Sequence, residues 1–312
     1  MSKLIENFVS KDSINQPLLI KGVLKGATDK GAPYLTITLQ DKSGSIHAKL
    51  WNVSSSEEEI AKVGKVVLIT GDIIEYNNAL QLRIRNISPL DQESVSMDDF
   101  VMTADISKEA LKKKINTAIS SINNINYRNM VIKIYETIGD DFYDYPAAAR
   151  IHHSFLGGLA VHITDMVKLG NVICELYPQL NRDLLIAGIL THDIGKMIEF
   201  SGPITTEYTL EGKLTGHISI MHGKLMEVSK ELNIEDSEEA ILLRHMVLSH
   251  HGQYEYGSPV LPQLQEAEVL YIIDNLDARL NTLETALKQT KPGFFTPRIF
   301  SLENRSFYKP KK

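Results

Sequence analysis

The sequence of 312 residues contains one cysteine, Cys174, and lacks any long apolar run. A single cysteine excludes an internal disulfide framework and any zinc site built from several cysteines. No apolar stretch approaches the roughly 18–20 residues that span a bilayer. Residues 1–12 contain Glu6 and Asp12 and lack the apolar core of a secretory signal. We therefore expect a cytoplasmic protein without a membrane partner.

Negative charge is scarce at both ends of the chain and abundant between them. Residues 1–90 hold 11 Lys/Arg and 9 Asp/Glu, residues 91–287 hold 15 and 29, and residues 288–312 hold 7 and 1. The acidic middle fits either a carboxylate-rich cation site or a solvated surface. The basic tail fits either a solubilising end or a contact for a polyanion.

Five short segments between residues 17 and 90 are rich in Val, Ile, Leu and Thr, and several alternate with period two. The predicted strands are Leu18–Lys25, Tyr34–Gln40, Ser45–Trp51, Lys65–Ile74 and Ala79–Ile87. A polar stretch over Ser54–Lys62 predicts one short helix between the third and fourth strands. Five strands with a helix in this place are the order of an OB-fold barrel. We assign residues 1–90 to this domain.

After residue 90 the apolar period changes to that of helices. We expect residues 91–145 to form a linker and connecting helices, residues 146–290 a helical bundle, and residues 291–312 a basic tail. The predicted fold class is therefore an N-terminal five-stranded OB-fold barrel followed by an all-α bundle.

Nine of the ten histidines lie between His152 and His251. One of them, in the pair His192-Asp193, ends a helix that is apolar almost all round and is therefore buried. A buried charge needs a partner, and a metal ion is one. Imidazole with carboxylate suits Mn, Fe, Zn, Ni or Co. A single histidine at the end of an apolar helix is more often a capped structural residue than a metal ligand.

The order of these residues resembles that of the HD-domain phosphohydrolase superfamily over roughly residues 150–290. The resemblance implies two divalent metal ions, with Mn²⁺ favoured. Two additional histidines are characteristic of the superfamily members that bind two metals. The implied metal ligands are His162, His192, Asp193, His217, His250 and Asp274.

Chemistry gives roles to some of these residues within that resemblance. Asp193 is the expected bridging ligand, because a carboxylate offers two oxygens to two ions. Lys196 either stabilises charge on a phosphate or is a surface lysine at a helix end. Asp277 is expected to orient a ligand. His251 competes with His250, because adjacent helical residues point about 100° apart.

The other histidines of this region match no metal-ligand position of the superfamily. We treat His152, His153, His222 and His245 as secondary candidates.

The predicted barrel has a polar face that suits a single strand of nucleic acid. In the third strand His47, Lys49 and Trp51 share the less apolar side, and OB-folds bind strands through basic grooves and aromatic platforms. Trp51 either stacks on bases or closes the barrel as core, and OB-folds also bind oligosaccharides and proteins. The predicted contacts are Lys21, Lys25, Tyr34, His47, Lys49, Trp51, Arg83 and Arg85.

The two halves together resemble the YhaM-type 3′-to-5′ exoribonucleases of Gram-positive bacteria. The most particular stretches are Leu190–Lys196 (LTHDIGK), Glu211–His217 (EGKLTGH) and His250-His251-Gly252. The resemblance implies metal-dependent trimming of single-stranded RNA from its 3′ end, with single-stranded DNA and a homo-oligomer as open possibilities. An HD enzyme for small nucleotides with a regulatory OB module, and a non-catalytic binding protein with a structural metal, are the alternatives.

Overall fold

The chain divides into two compact units, residues 1–103 and residues 104–312. The computed structural model describes residues 2–28, 31–76, 79–101, 103, 106–147, 155–203 and 206–311. Each unit has its own hydrophobic core.

The first unit is a closed five-stranded barrel with the strand order β1-β2-β3-β5-β4. The β3–β5 pair is parallel and the other pairs are antiparallel. A short helix, α1 (Ser55–Ile60), begins at a capping box made by Ser54 and Glu57 and lies between β3 and β4. This arrangement confirms the predicted OB-fold. The strands are β1 (Ser13–Ala27), β2 (Pro33–Asp41), β3 (Gly44–Trp51), β4 (Val66–Tyr76) and β5 (Ala79–Pro89).

The barrel unit continues past residue 90, where the sequence predicts a linker. The Gln92 side chain donates to the Val66 carbonyl at 2.9 Å and accepts from its N–H at 3.0 Å. Gln40 donates to the carbonyl of Phe100, whose ring is buried. Residues 91–101 are polar in composition, but Gln92 and the Phe100 carbonyl each pair with the barrel, so this segment lies against it.

The second unit is a bundle around α5, which is buried along most of its length. α5 packs against α3, α4, α8 and α9. None of the described helices is long and apolar enough to cross a membrane. The helices are α2 (Lys108–Ser120), α3 (Ile125–Ile138), α4 (Gly158–Leu176), α5 (Arg182–Thr191), α6 (Lys196–Glu199), α7 (Leu210–Glu231), α8 (Glu238–Ser249) and α9 (Gln265–Lys288).

Helices α2 and α3, predicted as connecting helices, belong to the bundle itself. Leu111 and Ile115 of α2, and Met130 and Val131 of α3, are buried in the same core as α5. The bundle therefore begins well before residue 146. An amphipathic pattern shows that a helix has an apolar face but not what that face packs against.

Part of the predicted basic tail folds into a hairpin over residues 293–309. We call this hairpin, together with the adjoining residues 291–292 and 310–311, the C-terminal hairpin. Leu302 in its turn is buried, and Glu303 forms two hydrogen bonds to Arg279 of α9 at 2.8 and 3.0 Å. Backbone hydrogen bonds join Gly293 to Lys309, Thr296 to Phe307 and Ile299 to Arg305.

The burial of α2 in the bundle core can be tested by mutation. We expect Ile115→Ala to lower the free energy of unfolding by about 2–5 kcal/mol, because it removes a fully buried side chain and leaves a cavity. Lys113→Ala, on the exposed face of the same helix, should change it by about 0.5 kcal/mol or less. Urea denaturation followed by circular dichroism measures both. Equal effects of the two substitutions would show that α2 adds nothing to the core.

Candidate functional site

Five helices bring all six predicted metal ligands together at the centre of the bundle. His162 lies on α4, His192 and Asp193 at the end of α5, and His217 on α7. His250 and Asp274 come from the end of α8 and from α9. The Asp193 side chain, 2% exposed, lies in the middle of this group.

One carboxylate oxygen of Asp193 faces a first cluster of ligand atoms. Its Oδ2 is 3.5 Å from His192 Nε2 and 3.8 Å from His162 Nε2. Asp274 Oδ1 is 3.2 Å from His162 Nε2 and 4.0 Å from His192 Nε2. Two imidazoles and two carboxylates therefore surround one position.

The other oxygen of Asp193 faces a second cluster. Its Oδ1 is 3.5 Å from His217 Nε2 and 3.7 Å from His250 Nε2. Ligand atoms of His217, His250 and His251 also lie within 4.8 Å of one another. The single carboxylate thus connects two clusters, as a bridging ligand must.

His250 and His251 do not compete for one place, in contrast to the sequence expectation. Helix α8 ends at Ser249 and His250 is its C-cap, so His251 lies beyond the helix. The 100° rule applies only inside a helix. The two rings lie 4.4 Å apart between centroids, and the His251 Nδ1 bonds the Tyr256 carbonyl at 2.6 Å.

Backbone carbonyls set the tautomers of two buried histidines. The Nδ1 atoms of His192 and His250 lie 2.9 Å from the Ile189 carbonyl and 2.7 Å from the Val247 carbonyl. A carbonyl only accepts, so Nδ1 carries the proton and the Nε2 lone pair points into the cluster. Burial lowers the pKa of both imidazoles, so each is neutral and able to bind a metal.

His162 is held by a carboxylate, as the sequence predicts for Asp277. Its Nδ1 lies 2.6 Å from Asp277 Oδ2. Burial lowers the pKa of His162, but hydrogen bonds to Asp274 and Asp277 outweigh burial and raise it to about 10. A proton and a metal ion are alternatives at Nε2, so a cation bound there displaces the proton.

Sequence reasoning missed Glu199, which holds His217. The buried Glu199 accepts from the His217 backbone N–H at 3.1 Å and lies 3.2 Å from its Nδ1. Burial raises the pKa of this carboxyl, but the bonds from His217 and the nearby Lys196 lower it overall. The sequence offered one sign of a buried role for Glu199, its place between the apolar residues Ile198 and Phe200.

Lys196 is a buried partner of Asp193 and not a surface lysine. Its Nζ lies 2.6 Å from Asp193 Oδ2, and the residue is 9% exposed. Burial lowers the pKa of Lys196, but attraction by Asp193 outweighs burial, so the ammonium stays charged. Burial raises the pKa of the Asp193 carboxyl. Lys196 and the surrounding histidines outweigh burial and bring this pKa well below its usual range.

Two glycines let α7 approach the end of α5. A Cβ at Gly195 would lie 2.2 Å from the His217 carbonyl oxygen, so only glycine fits there without movement. Gly216 has φ +70°, which bends α7 immediately before His217. The bend and the close approach place the imidazole beside Asp193.

The charges of this centre call for cations. Asp193, Asp274, Asp277 and Glu199 are negative, while Lys196 is the positive side chain paired with Asp193. Even with His162 protonated, these side chains lack two positive charges, and uncompensated buried charge is costly.

Unpartnered ligand atoms point to the same conclusion. Among the described residues, Nε2 of His192, His217 and His250 and Oδ1 of Asp193 are buried without a hydrogen-bond partner. Donor atoms that share one ion at about 2.0–2.2 Å lie roughly 3.0–3.5 Å apart. The observed separations of 3.2–4.0 Å are close to this range, so the residues fit divalent metal ions.

Two of the secondary histidine candidates, His222 and His245, are among the described residues and lie outside these clusters. His245 accepts from the Gln263 backbone N–H at 3.0 Å, and His222 is half-buried near Arg244. His152 and His153 lie outside the described residues.

The outer face of the barrel carries a second candidate site. The rings of Tyr34 and Trp51, cross-strand partners in β2 and β3, lie 4.9 Å apart between centroids. Lys49 Nζ lies 4.3 Å from the Tyr34 centroid and donates to Thr36 Oγ1 at 2.6 Å. Trp51 is 46% exposed, so the alternative that it closes the barrel as core is wrong.

Three more predicted contacts lie on the outer side of this sheet. His47 is exposed and its Nδ1 lies 3.3 Å from Thr38 Oγ1. Arg83 pairs with Lys49 in the β3–β5 ladder. Arg83 and Arg85 each contact Asp72, at 3.5 and 3.2 Å. We define the aromatic face of the barrel by Tyr34, His47, Lys49, Trp51 and Arg83.

Lys21 and Lys25 are not placed on this face. The β1–β2 ladder has a register shift between Ile20 and Gly22, which reverses the side that later residues face. Lys25 therefore pairs with Leu35, and its ammonium contacts Glu58 of α1 at 2.5 Å. Lys21 lies at the shift, where burial lowers its pKa.

An OB-fold barrel followed by a bundle with this His/Asp centre defines a nucleic-acid-binding protein with an HD domain. Residues 18–90 match the OB-fold nucleic acid binding domain family, and residues 159–279 match the HD domain family. Together these matches cover both candidate sites.

Full-length relatives identify the family. The chain is 46% identical to the 3′-5′ exoribonuclease YhaM of Geobacillus sp. (strain WCH70), covering 99% of this chain and 96% of the relative. It is 47% identical to that of Bacillus subtilis (strain 168), covering 96% and 95%. It is 45% identical to that of Listeria monocytogenes serotype 4b (strain F2365), covering 99% of each. The chain belongs to the YhaM family of 3′-5′ exoribonucleases.

The position of Asp193 between the two clusters predicts that metal content depends on its charge. We expect Asp193→Asn to lose at least one metal ion per chain, because an amide offers one oxygen where the carboxylate offers two. Asp165→Asn on α4, where the side chain is 39% exposed, should lose none. Elemental analysis of metal-reconstituted, desalted protein measures both. Full metal content in a folded Asp193→Asn protein would contradict the bridging assignment.

Proposed function

We propose that this chain is a metal-dependent 3′-to-5′ exoribonuclease that hydrolyses phosphodiester bonds of single-stranded RNA. The observation that carries the proposal is the Asp193 carboxylate, shared by two buried clusters of inward-facing ligand atoms beside the Lys196 ammonium. The direction of degradation and the RNA substrate follow the names of the full-length relatives.

Two divalent metal ions fit the centre. Such ions supply a nucleophile from water at neutral pH and offset charge on phosphoryl oxygens. Nitrogen and oxygen donors without thiolate suit Mn²⁺ among the metals that histidine and carboxylate bind. The first position uses His162, His192, Asp193 and Asp274; the second uses Asp193, His217 and His250, with His251 beside them.

The chain's own residues orient this machinery. Asp277 and Glu199 accept from the Nδ1 atoms of His162 and His217, which directs both Nε2 atoms inward. Lys196 holds Asp193 Oδ2 at 2.6 Å and keeps a positive charge at the site of the phosphate. The positions of these groups are fixed by the bundle before substrate binds, which lowers the cost of reaching the transition state.

The aromatic face of the barrel holds the strand. Tyr34 and Trp51 offer rings for base stacking, and Lys49 Nζ lies 4.3 Å and 5.8 Å from their centroids. Arg83 in the neighbouring strand adds charge for phosphate. Stacking does not depend on the sugar, so single-stranded DNA is expected to bind this face as well.

The proposed activity has a direct assay. With Mn²⁺ and a 5′-labelled single-stranded RNA, we expect a ladder of labelled products that shortens from the 3′ end. Chelation should stop the reaction, and Mn²⁺ should restore it. Asp193→Asn should stay inactive under the same conditions.

Three results would contradict the proposal. The first is full activity after exhaustive metal removal. The second is release of the label as a mononucleotide at the earliest times, which indicates degradation from the 5′ end. The third is faster turnover of free nucleotides than of oligonucleotides, which favours a small-nucleotide hydrolase.

Stacking on Trp51 can be measured separately from chemistry. We expect Trp51→Ala to weaken binding of a labelled RNA roughly five- to 150-fold, because one stacked base is worth about 1–3 kcal/mol. Trp51→Phe should keep most of the affinity. Fluorescence anisotropy of the full chain in EDTA, where no cleavage occurs, gives the dissociation constants. An unchanged constant for a folded Trp51→Ala protein would show that the ring does not stack on RNA.

A further inference from the structure

The C-terminal hairpin exposes large aromatic side chains that nothing in the site described above uses. Phe295 is 65% exposed and Phe300 is 85% exposed. Phe294 and Tyr308 are also exposed, and the rings of Phe295 and Tyr308 lie 5.2 Å apart between centroids. Single exposed apolar residues need no explanation, but a cluster of rings indicates a surface that contacts something.

The same hairpin is strongly basic. Residues 291–311 hold five Lys/Arg and a single acid, Glu303, which is already paired with Arg279 and Arg305. Within the described part of the chain, Lys291, Arg298 and Lys311 have no carboxylate at salt-bridge distance. The positive charge of this surface is therefore left for an external anion.

The hairpin is fixed to the helix that supplies part of the metal centre. Arg279 of α9 holds Glu303, and Lys309 Nζ donates to the Leu287 carbonyl at 2.7 Å. Asp277, which orients His162, is two residues before Arg279 on the same helix. The surface thus belongs to the catalytic unit and is anchored next to the segment of α9 that reaches the metals.

We propose that the C-terminal hairpin is a second contact surface for single-stranded RNA, with Lys291, Arg298 and Lys311 binding phosphates and Phe295 and Phe300 stacking on bases. The proposal rests on the function proposed above and adds a substrate contact to it. Exposed rings interleaved with unpaired cations are the combination that single strands require.

A second copy of the chain is the competing occupant of this surface. In a symmetric dimer the same patch would face itself, so like charges would be brought together without acids to balance them. RNA instead brings one negative charge per nucleotide to the same cations. Charge complementarity therefore favours RNA.

The test uses the full chain in EDTA, so that binding is measured without cleavage and independently of the proposed activity. We expect Phe295→Ala/Phe300→Ala to weaken binding of a labelled single-stranded RNA at least roughly fivefold, the effect of one lost stacked base. We expect Arg298→Gln to reduce the slope of log affinity against log salt by about 1. The matched controls are Tyr177→Ala, an exposed ring after α4, and Lys113→Gln on α2.

A second measurement separates strand binding from chemistry. With Mn²⁺, hydrolysis of bis(p-nitrophenyl) phosphate should be equal in the wild type and the hairpin variants, because this substrate is too small to reach the hairpin. Affinity and salt slope equal to those of the controls would overturn the proposal. A change in sedimenting mass caused by the hairpin substitutions would also overturn it in favour of self-association. A wild type that binds RNA through the hairpin but degrades none would instead contradict the proposed function.

Discussion

The burial of the Asp193 carboxylate is the constraint on which the catalytic unit depends. This carboxylate is surrounded by imidazoles and by the ammonium of Lys196. Neutral imidazoles protonated at Nδ1 have no hydrogen at Nε2 to donate to the carboxylate. The apolar helix α5 buries the His192-Asp193 pair, and the helices packed around it bring the remaining ligands. Cations in the two clusters would turn an otherwise costly arrangement into a stable one, so we expect metal binding and bundle stability to be linked.

The two clusters follow one plan although their residues come from different helices. Each contains one histidine held by a carboxylate, His162 by Asp277 and His217 by Glu199. Each cluster also contains a histidine whose Nδ1 bonds a backbone carbonyl, as the Nδ1 of His192 bonds the carbonyl of Ile189. A carboxylate partner makes an imidazole a more basic ligand than a carbonyl partner does. Asp193 joins two similar half-sites, so we expect a change in one cluster to affect the other.

Sequence periodicity predicted the barrel and the bundle, and the resemblance to HD-domain phosphohydrolases implied the six residues that meet at the centre of the bundle. What escaped prediction depends on contacts between distant segments or on single-residue irregularities. A register shift turned Lys25 away from the aromatic face, and the end of α8 allowed His250 and His251 to face one cluster. Glu199 was missed because a lone acid carries no pattern until the fold places His217 against it.

Charge distribution explains why an RNA-degrading bundle needs more than its active site. Residues 91–287 have nearly twice as many acids as bases, so most of this unit repels a polyanion. A strand approaches such a surface where positive charge is concentrated, as it is on the C-terminal hairpin that Arg279 and Glu303 fix to α9. The metal centre carries four acids and Lys196, so it would attract phosphate only with cations bound. We therefore expect the acidic surface to restrict where RNA binds, which favours contact at these positions over binding elsewhere on the bundle.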